Sequence, residues 1–183
     1  MPQISLKSLM STNVPSYSSE FVQPFRQDLT GAGFKELLTP DDVDAALDQH
    51  GDGITMVMLN SVCGCAAGKA RPGTLLSMLN AVVPDEYVTL FAGMEKQAVT
   101  HFREKYLPGL TPTSPNIALF KHGSLLHILH RHNIEDKTAG EIAKELATVY
   151  NTVCSKSNLP EEMAKLKNYI ESRYQVSIES LNA

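Results

Sequence analysis

The chain has 183 residues, 43% of them hydrophobic and 20% charged, with a formal charge of −4. That is enough to bury one core of ordinary size without disulfide staples, and it places the chain with soluble globular proteins, not with disordered or membrane-embedded ones. The longest clearly apolar run, residues 54–59, is far too short to span a bilayer, and the absence of any Lys/Arg cluster argues against nucleic acid or anionic lipid as the main partner. Residues 1–10 contain only Lys7 as a cation and lack the apolar core of a signal peptide, so a cytoplasmic protein is expected. Three cysteines in a reducing compartment point to redox or metal chemistry.

Residues 1–18, rich in Ser, Thr, Asn and Pro, show no apolar period and read as a flexible or loosely docked arm. From Ser19, the residues Phe21, Val22, Phe25 and Leu29 have helical spacing, with Pro24 either kinking the helix or sitting in its first turn; Gly31 and Gly33 end it. A second helix starts at an N-cap Thr39 followed by Pro40, Asp41 and Asp42, and should end near His50 and Gly51. Residues 54–59 form a first buried strand. A helix is then expected over about 64–82, bent by Pro72, with Leu75, Leu76 and Leu79 facing the core.

A second strand spans 87–91, and a helix over 94–106 repeats Ala98, Phe102 and Tyr106 every four residues. The loop 110–115 leads to a third strand, 116–121, which turns at His122 and Gly123 into a fourth, 125–130. A last core helix covers about 138–153. After Cys154 and a polar break comes a charged helix over 159–174 whose apolar stripe, Met163, Leu166, Tyr169 and Ile170, is narrow. The order is a βαβ crossover followed by a ββα unit around one core.

The chemistry concentrates in residues 55–71, where an apolar strand stops at Asn60 and Ser61 and gives way to Cys63-Gly64-Cys65 and an Ala-rich helix. A cysteine at a helix start faces unpaired N–H groups that favour an anion, and the thiolate is the nucleophile of disulfide exchange. The plainer reading is two small helix-packing residues. A one-residue spacer is awkward, because residues two apart on a helix do not face each other; closure should be strained and the bond easily reduced, with Gly64 supplying backbone angles that other residues are denied.

Two further stretches carry a resemblance. Pro115-Asn116-Ile117-Ala118-Leu119-Phe120-Lys121-His122-Gly123 is similar to the thioredoxin segment in which a cis-proline precedes a strand and a Lys-x-Gly turn follows it. Residues 29–34, 60–68, 70–72 and 131–132 resemble the bacilliredoxin family of bacterial thioredoxin-like proteins, which carry Cys-Gly-Cys where thioredoxin has Cys-x-x-Cys.

The resemblance implies an α/β thioredoxin-like fold: a central mixed four-stranded sheet flanked by helices, with extra N-terminal helices and a C-terminal helix. It divides the chain into an arm (1–18), a thioredoxin-like domain (19–154) and a helical extension (155–183). It implies a thiol–disulfide oxidoreductase that removes bacillithiol, or an analogous small thiol, from mixed disulfides on proteins, with no tightly bound cofactor and with a recycling reductase as partner. Cys63 would attack and Cys65 would be the second, resolving thiol. Gly64, Ser114 and Pro115 would line the substrate site, with a cis bond between Ser114 and Pro115. Lys69 and Arg71 could raise the thiolate fraction or hold a carboxylate of the small thiol, or could equally point to water. Cys154 reads as a packed or solvent-edge thiol, and His127, His130 and His132 as ordinary histidines. The competing reading is a soft-metal module built on Cys63, Cys65 and one of those histidines.

Overall fold

The computed structural model describes residues 13–48 and 51–182. Its elements in chain order are α1 (Ser19–Thr30), β1 (Lys35–Glu36), α2 (Pro40–Leu47), β2 (Thr55–Asn60), a π-helical segment (Ala66–Ala70) running into α3 (Arg71–Ser77), β3 (Val82–Val83) and β4 (Glu86–Phe91). Then follow α4 (Lys96–His101) with a second π-helical segment (Phe102–Tyr106), β5 (Asn116–Lys121), β6 (Ser124–Leu129), α5 (Arg131–Glu135), α6 (Ala139–Val153), β7 (Lys156–Ser157), α7 (Pro160–Tyr174) and α8 (Ile178–Leu181).

The main sheet has the order β1-β4-β2-β5-β6. Strands β1, β4 and β2 run parallel, and β5 and β6 are antiparallel additions, which is the thioredoxin-like arrangement. To the four strands read from the sequence it adds β1, too short to show an apolar alternation. Every residue of β2 is buried, because helices cover both faces of this central strand. Alternation then sorts the core in two. Met56 and Met58 pack with Leu75, Ile142, Leu146 and Tyr150 on one face, and Val57 and Leu59 with Val43, Leu47 and Phe102 on the other. At the hairpin between β5 and β6, His122 and Gly123 both have positive φ (49° and 71°), as a two-residue primed turn requires.

Local chemistry explains the boundaries. Thr39 and Asp42 form a reciprocal capping box at α2, a device that typically contributes about 1 kcal/mol. This helix stops at Leu47; its expected end at His50 lies outside the described residues. Pro24 sits inside α1, past the first turn. The long helix expected over 64–82 ends at Ser77 instead, because Val82 and Val83 pair with Ser157 and Lys156 in a small second sheet. Gly73 brings α3 against α6, since a Cβ there would stand 2.8 Å from Ile142 and 2.9 Å from the Ala139 carbonyl.

The expected flexible arm falls mostly on residues 1–12, outside those described. Of its remainder, Ser16 N–H donates to the Gly93 carbonyl at 2.7 Å and the Tyr17 ring lies 5.9 Å from that of Phe21. At the other end, α7 buries Ile170 completely in the cluster that holds Leu29 and Leu75. Among the described residues no helix is long and apolar enough to cross a membrane.

Candidate active site

The site grows from the end of β2. Asn60, 1% exposed, spends its side chain on the turn that follows: its amide donates to the Phe25 carbonyl at 3.0 Å, and its Oδ1 accepts from Ser61 N–H at 2.8 Å. The chain then bends through Val62 and Cys63, and the helix begins at Gly64. The Cys63 carbonyl accepts from the N–H groups of Ala66 and Ala67, both at 3.1 Å. Its Sγ accepts from Ala66 N–H at 3.3 Å and from the Ser61 hydroxyl at 3.2 Å. Cys63 therefore acts as a helix N-cap with sulfur in the place of the usual oxygen, so a helix-start N–H points at its Sγ.

Cys63 and Cys65 are joined in a disulfide with their Cα atoms 5.4 Å apart, inside the usual range for such bonds. The one-residue spacer does not keep the sulfurs apart, since Cys63 lies in the bend ahead of the helix. Gly64 is exposed, is not among the glycines with positive φ, and has open space where a Cβ would stand. The special backbone angles expected of it are thus not used.

Beyond Cys65 the helix widens. Arg71 N–H reaches back to the Ala66 carbonyl, a π-type bond, and Pro72, next in line, has no N–H to donate and would crowd an ordinary α turn. Arg71 neither points to water nor stands free to meet a substrate carboxylate, which corrects both expectations. It is 1% exposed: Nε donates to Asp28 Oδ2 at 2.7 Å, and Nη1 donates to Asn60 Oδ1 and the Ser61 carbonyl, each at 3.0 Å. Its guanidinium also lies over the Phe25 ring at 5.1 Å. A buried guanidinium thus holds the turn leading to Cys63 from behind.

Lys69 is half-buried and its ammonium donates to the Glu135 carbonyl, which ties the π-helical segment to α5. Across the site, the Ser114–Pro115 bond is cis, as the thioredoxin-like segment led us to expect. Leu59 pairs with Asn116, so the strand that follows this proline starts beside the end of β2, the strand that leads to the dithiol. The loop is braced by Asn116, whose amide donates to the Thr113 carbonyl at 3.0 Å, and by Thr113 Oγ1 at 3.2 Å from His130 Nδ1.

Arg131 and His132 belong to the short helix α5, which His130 caps. The His130 and His132 rings stack at 5.4 Å; burial, and then the neighbouring His132, lower the pKa of His130. Among the described residues no three His, Cys, Asp or Glu side chains are grouped so as to hold a metal ion, so no histidine completes a ligand set with the two cysteines.

Two residues of this site, Asp28 and Ser61, were not singled out from the sequence. The sequence signalled only that a partner was needed: Arg71, Leu75 and Met78 share one helical face, and a charge on a core face demands a buried counterpart, which the pattern does not name.

Comparison with known proteins follows the same outline. A family model described as disulphide isomerase matches residues 17–154. The chain is 44% identical over 145 residues to a bacilliredoxin of Halalkalibacterium halodurans, covering 79% of this chain and 99% of that protein. It is 45% identical over 135 residues to a bacilliredoxin of Cytophaga hutchinsonii, covering 74% and 98%. Among solved structures, thioredoxin O2 from Arabidopsis thaliana in its oxidized state aligns with a TM-score of 0.45 at 15% identity, over 66% of this chain and 96% of that one.

Proposed function

The chain belongs to the bacilliredoxin family and is a thiol–disulfide oxidoreductase; from that premise we propose that it frees protein thiols from mixed disulfides with a low-molecular-weight thiol, bacillithiol or an analogue. In the first step the Cys63 thiolate attacks the sulfur of the small thiol. The bond between client and small thiol breaks, a bond from Cys63 to the small thiol forms, and the client leaves as a thiolate. In the second step the Cys65 thiolate attacks Cys63, closing the Cys63–Cys65 disulfide and expelling the small thiol. Two electrons and two protons from an external thiol reductant then restore the dithiol.

The observation that carries this reading is the Cys63 sulfur, set at a helix start within reach of the Ala66 N–H and the Ser61 hydroxyl and already paired with Cys65. Both donors stabilise a thiolate more than a thiol. Ser114 and Pro115 would receive the client chain beside the dithiol, and residues 19–154 would form the catalytic unit. Such a cycle suits the reducing cytoplasm, where mixed disulfides must be cleared.

The test uses a client protein loaded with bacillithiol, and in parallel with glutathione or coenzyme A, followed by intact-mass measurement. Cys65→Ser should strip the client and accumulate as the Cys63 adduct, while Cys63→Ser should do neither. Activity retained by Cys63→Ser but lost by Cys65→Ser would reverse the roles, and the thiol stripped fastest identifies the natural adduct.

A further inference from the structure

The helix α7 lies outside the span matched by the family, residues 17–154, yet it reaches the support of the dithiol. Arg173 Nε donates to Asp28 Oδ1 at 2.7 Å, and its Nη2 to the Pro24 carbonyl at 2.7 Å. The other oxygen of Asp28 belongs to Arg71. Arg71 in turn holds Asn60 Oδ1 and the Ser61 carbonyl, and the Ser61 hydroxyl donates to Cys63 Sγ. Beside these contacts, the Tyr169 hydroxyl donates to the carbonyls of Gln27 and Asp28, so α7 grips α1 at two levels.

Charge decides what this arrangement does. One carboxylate shared by Arg71 alone would neutralise it. Shared by two guanidiniums, it leaves one net positive charge behind the turn that carries Cys63, with Arg71 the buried member and Arg173 the half-exposed one. A cation near a thiolate favours that thiolate, hence the reduced form of a disulfide couple.

We propose that Arg173 is a positioning residue for the redox centre: by sharing Asp28 with Arg71 it keeps positive charge behind the Asn60–Ser61 turn and raises the reduction potential of the Cys63–Cys65 couple. The proposal rests on the reading that these two cysteines are the redox couple. It does not depend on which of them attacks.

The experiment equilibrates the full chain in redox buffers of dithiothreitol and of glutathione, alkylates free thiols and counts the oxidised fraction by peptide mass. Arg173→Gln should shift the couple to more reducing potential, on the order of threefold in the equilibrium constant. Arg173→Lys, which keeps the charge, should restore the wild-type value. Tyr169→Phe, which loosens α7 without changing charge, should leave it unmoved. A couple that ignores Arg173→Gln, or that moves equally in Arg173→Gln and Tyr169→Phe, overturns the proposal. If the wild-type cysteines fail to interconvert in either buffer, it is the underlying reading of the redox couple that fails, a result distinct from the other two.

Discussion

Cys63 stands at the beginning of one helix and Cys154 at the end of another, and the two thiols live in opposite surroundings. Around Cys63, an N–H group and a hydroxyl point at the sulfur and a buried guanidinium lies behind the turn. Cys154 caps α6, where its own N–H answers the Tyr150 carbonyl at 2.8 Å and the helix presents carbonyl oxygens. It is a free thiol, half-buried in the cluster that contains Tyr150; burial first, and the Asp85 carboxylate second, push it up to about 11. The same side chain thus meets donors that favour its thiolate at Cys63, and burial beside a carboxylate that disfavours it at Cys154.

The largest test of this contrast concerns what holds each end in place. The Cys63 end rests on a buried ion pair, and removing one partner of such a pair typically costs about 3–5 kcal/mol. Arg71→Ala should lie near the lower figure, because Arg173 still answers Asp28. The Cys154 end rests on apolar contact, so Cys154→Ala should cost only about 1 kcal/mol, on the scale of a deleted buried group. Urea unfolding of both variants measures this. Equal losses would mean that the Asp28–Arg71 pair is not the support described here.

The contrast also shows what the sequence reveals and what it hides. The strand over 116–121, the N-cap at Thr39 and the turn at His122 and Gly123 were legible, because each is a local pattern with a local cause. The cysteine pair was legible from its place between an apolar strand and an Ala-rich helix, and the cis-proline through resemblance. The site of Arg71 was not, since a helical face shows that a residue points inward without showing what meets it there; its partner Asp28 lies 43 positions away. For the same reason α7 looked like an addition with a thin apolar stripe. Its contribution is made through Ile170 and Arg173, and only the folded chain brings these to α1 and the core.

A second prediction compares the thiols directly, in the reduced protein, with a disulfide labelling reagent. At about pH 7.5 a thiol at about 11 carries roughly 300-fold less thiolate than one of ordinary acidity, and the greater nucleophilicity of a more basic thiolate recovers about tenfold of that. Cys154 should therefore label at least about 20-fold more slowly than Cys63, before its partial burial slows it further. Its rate should climb about tenfold per pH unit until the pH approaches 11, while that of Cys63 levels off earlier. Raised in the folded state, Cys154 also makes a pH-dependent contribution to stability: the unfolded chain loses this proton first, so stability falls as pH rises from about 9 towards 11. Parallel labelling curves for the two residues would dissolve the contrast.

The smallest expected effect isolates one of the two donors at Cys63. The Ala66 N–H belongs to the backbone and survives substitution, but the Ser61 hydroxyl, 3.2 Å from the sulfur, can be removed alone by Ser61→Ala. The Ser61 carbonyl that Arg71 grips is untouched by this change, so the turn should keep its shape. A hydrogen bond to a charged group contributes about 1.5–3 kcal/mol when dry, but Cys63 is half-exposed and water takes over part of the lost donation. A two- to fivefold loss of Cys63 thiolate, roughly 0.5–1 kcal/mol, is the expected result, read as slower labelling near neutral pH with the plateau at high pH preserved. Cys154 in the same sample should not change. Should the Cys63 profile stay where it was, the hydroxyl contributes nothing to its acidity, and the helix start, with the guanidinium behind the turn, carries the Cys63 side of the contrast alone.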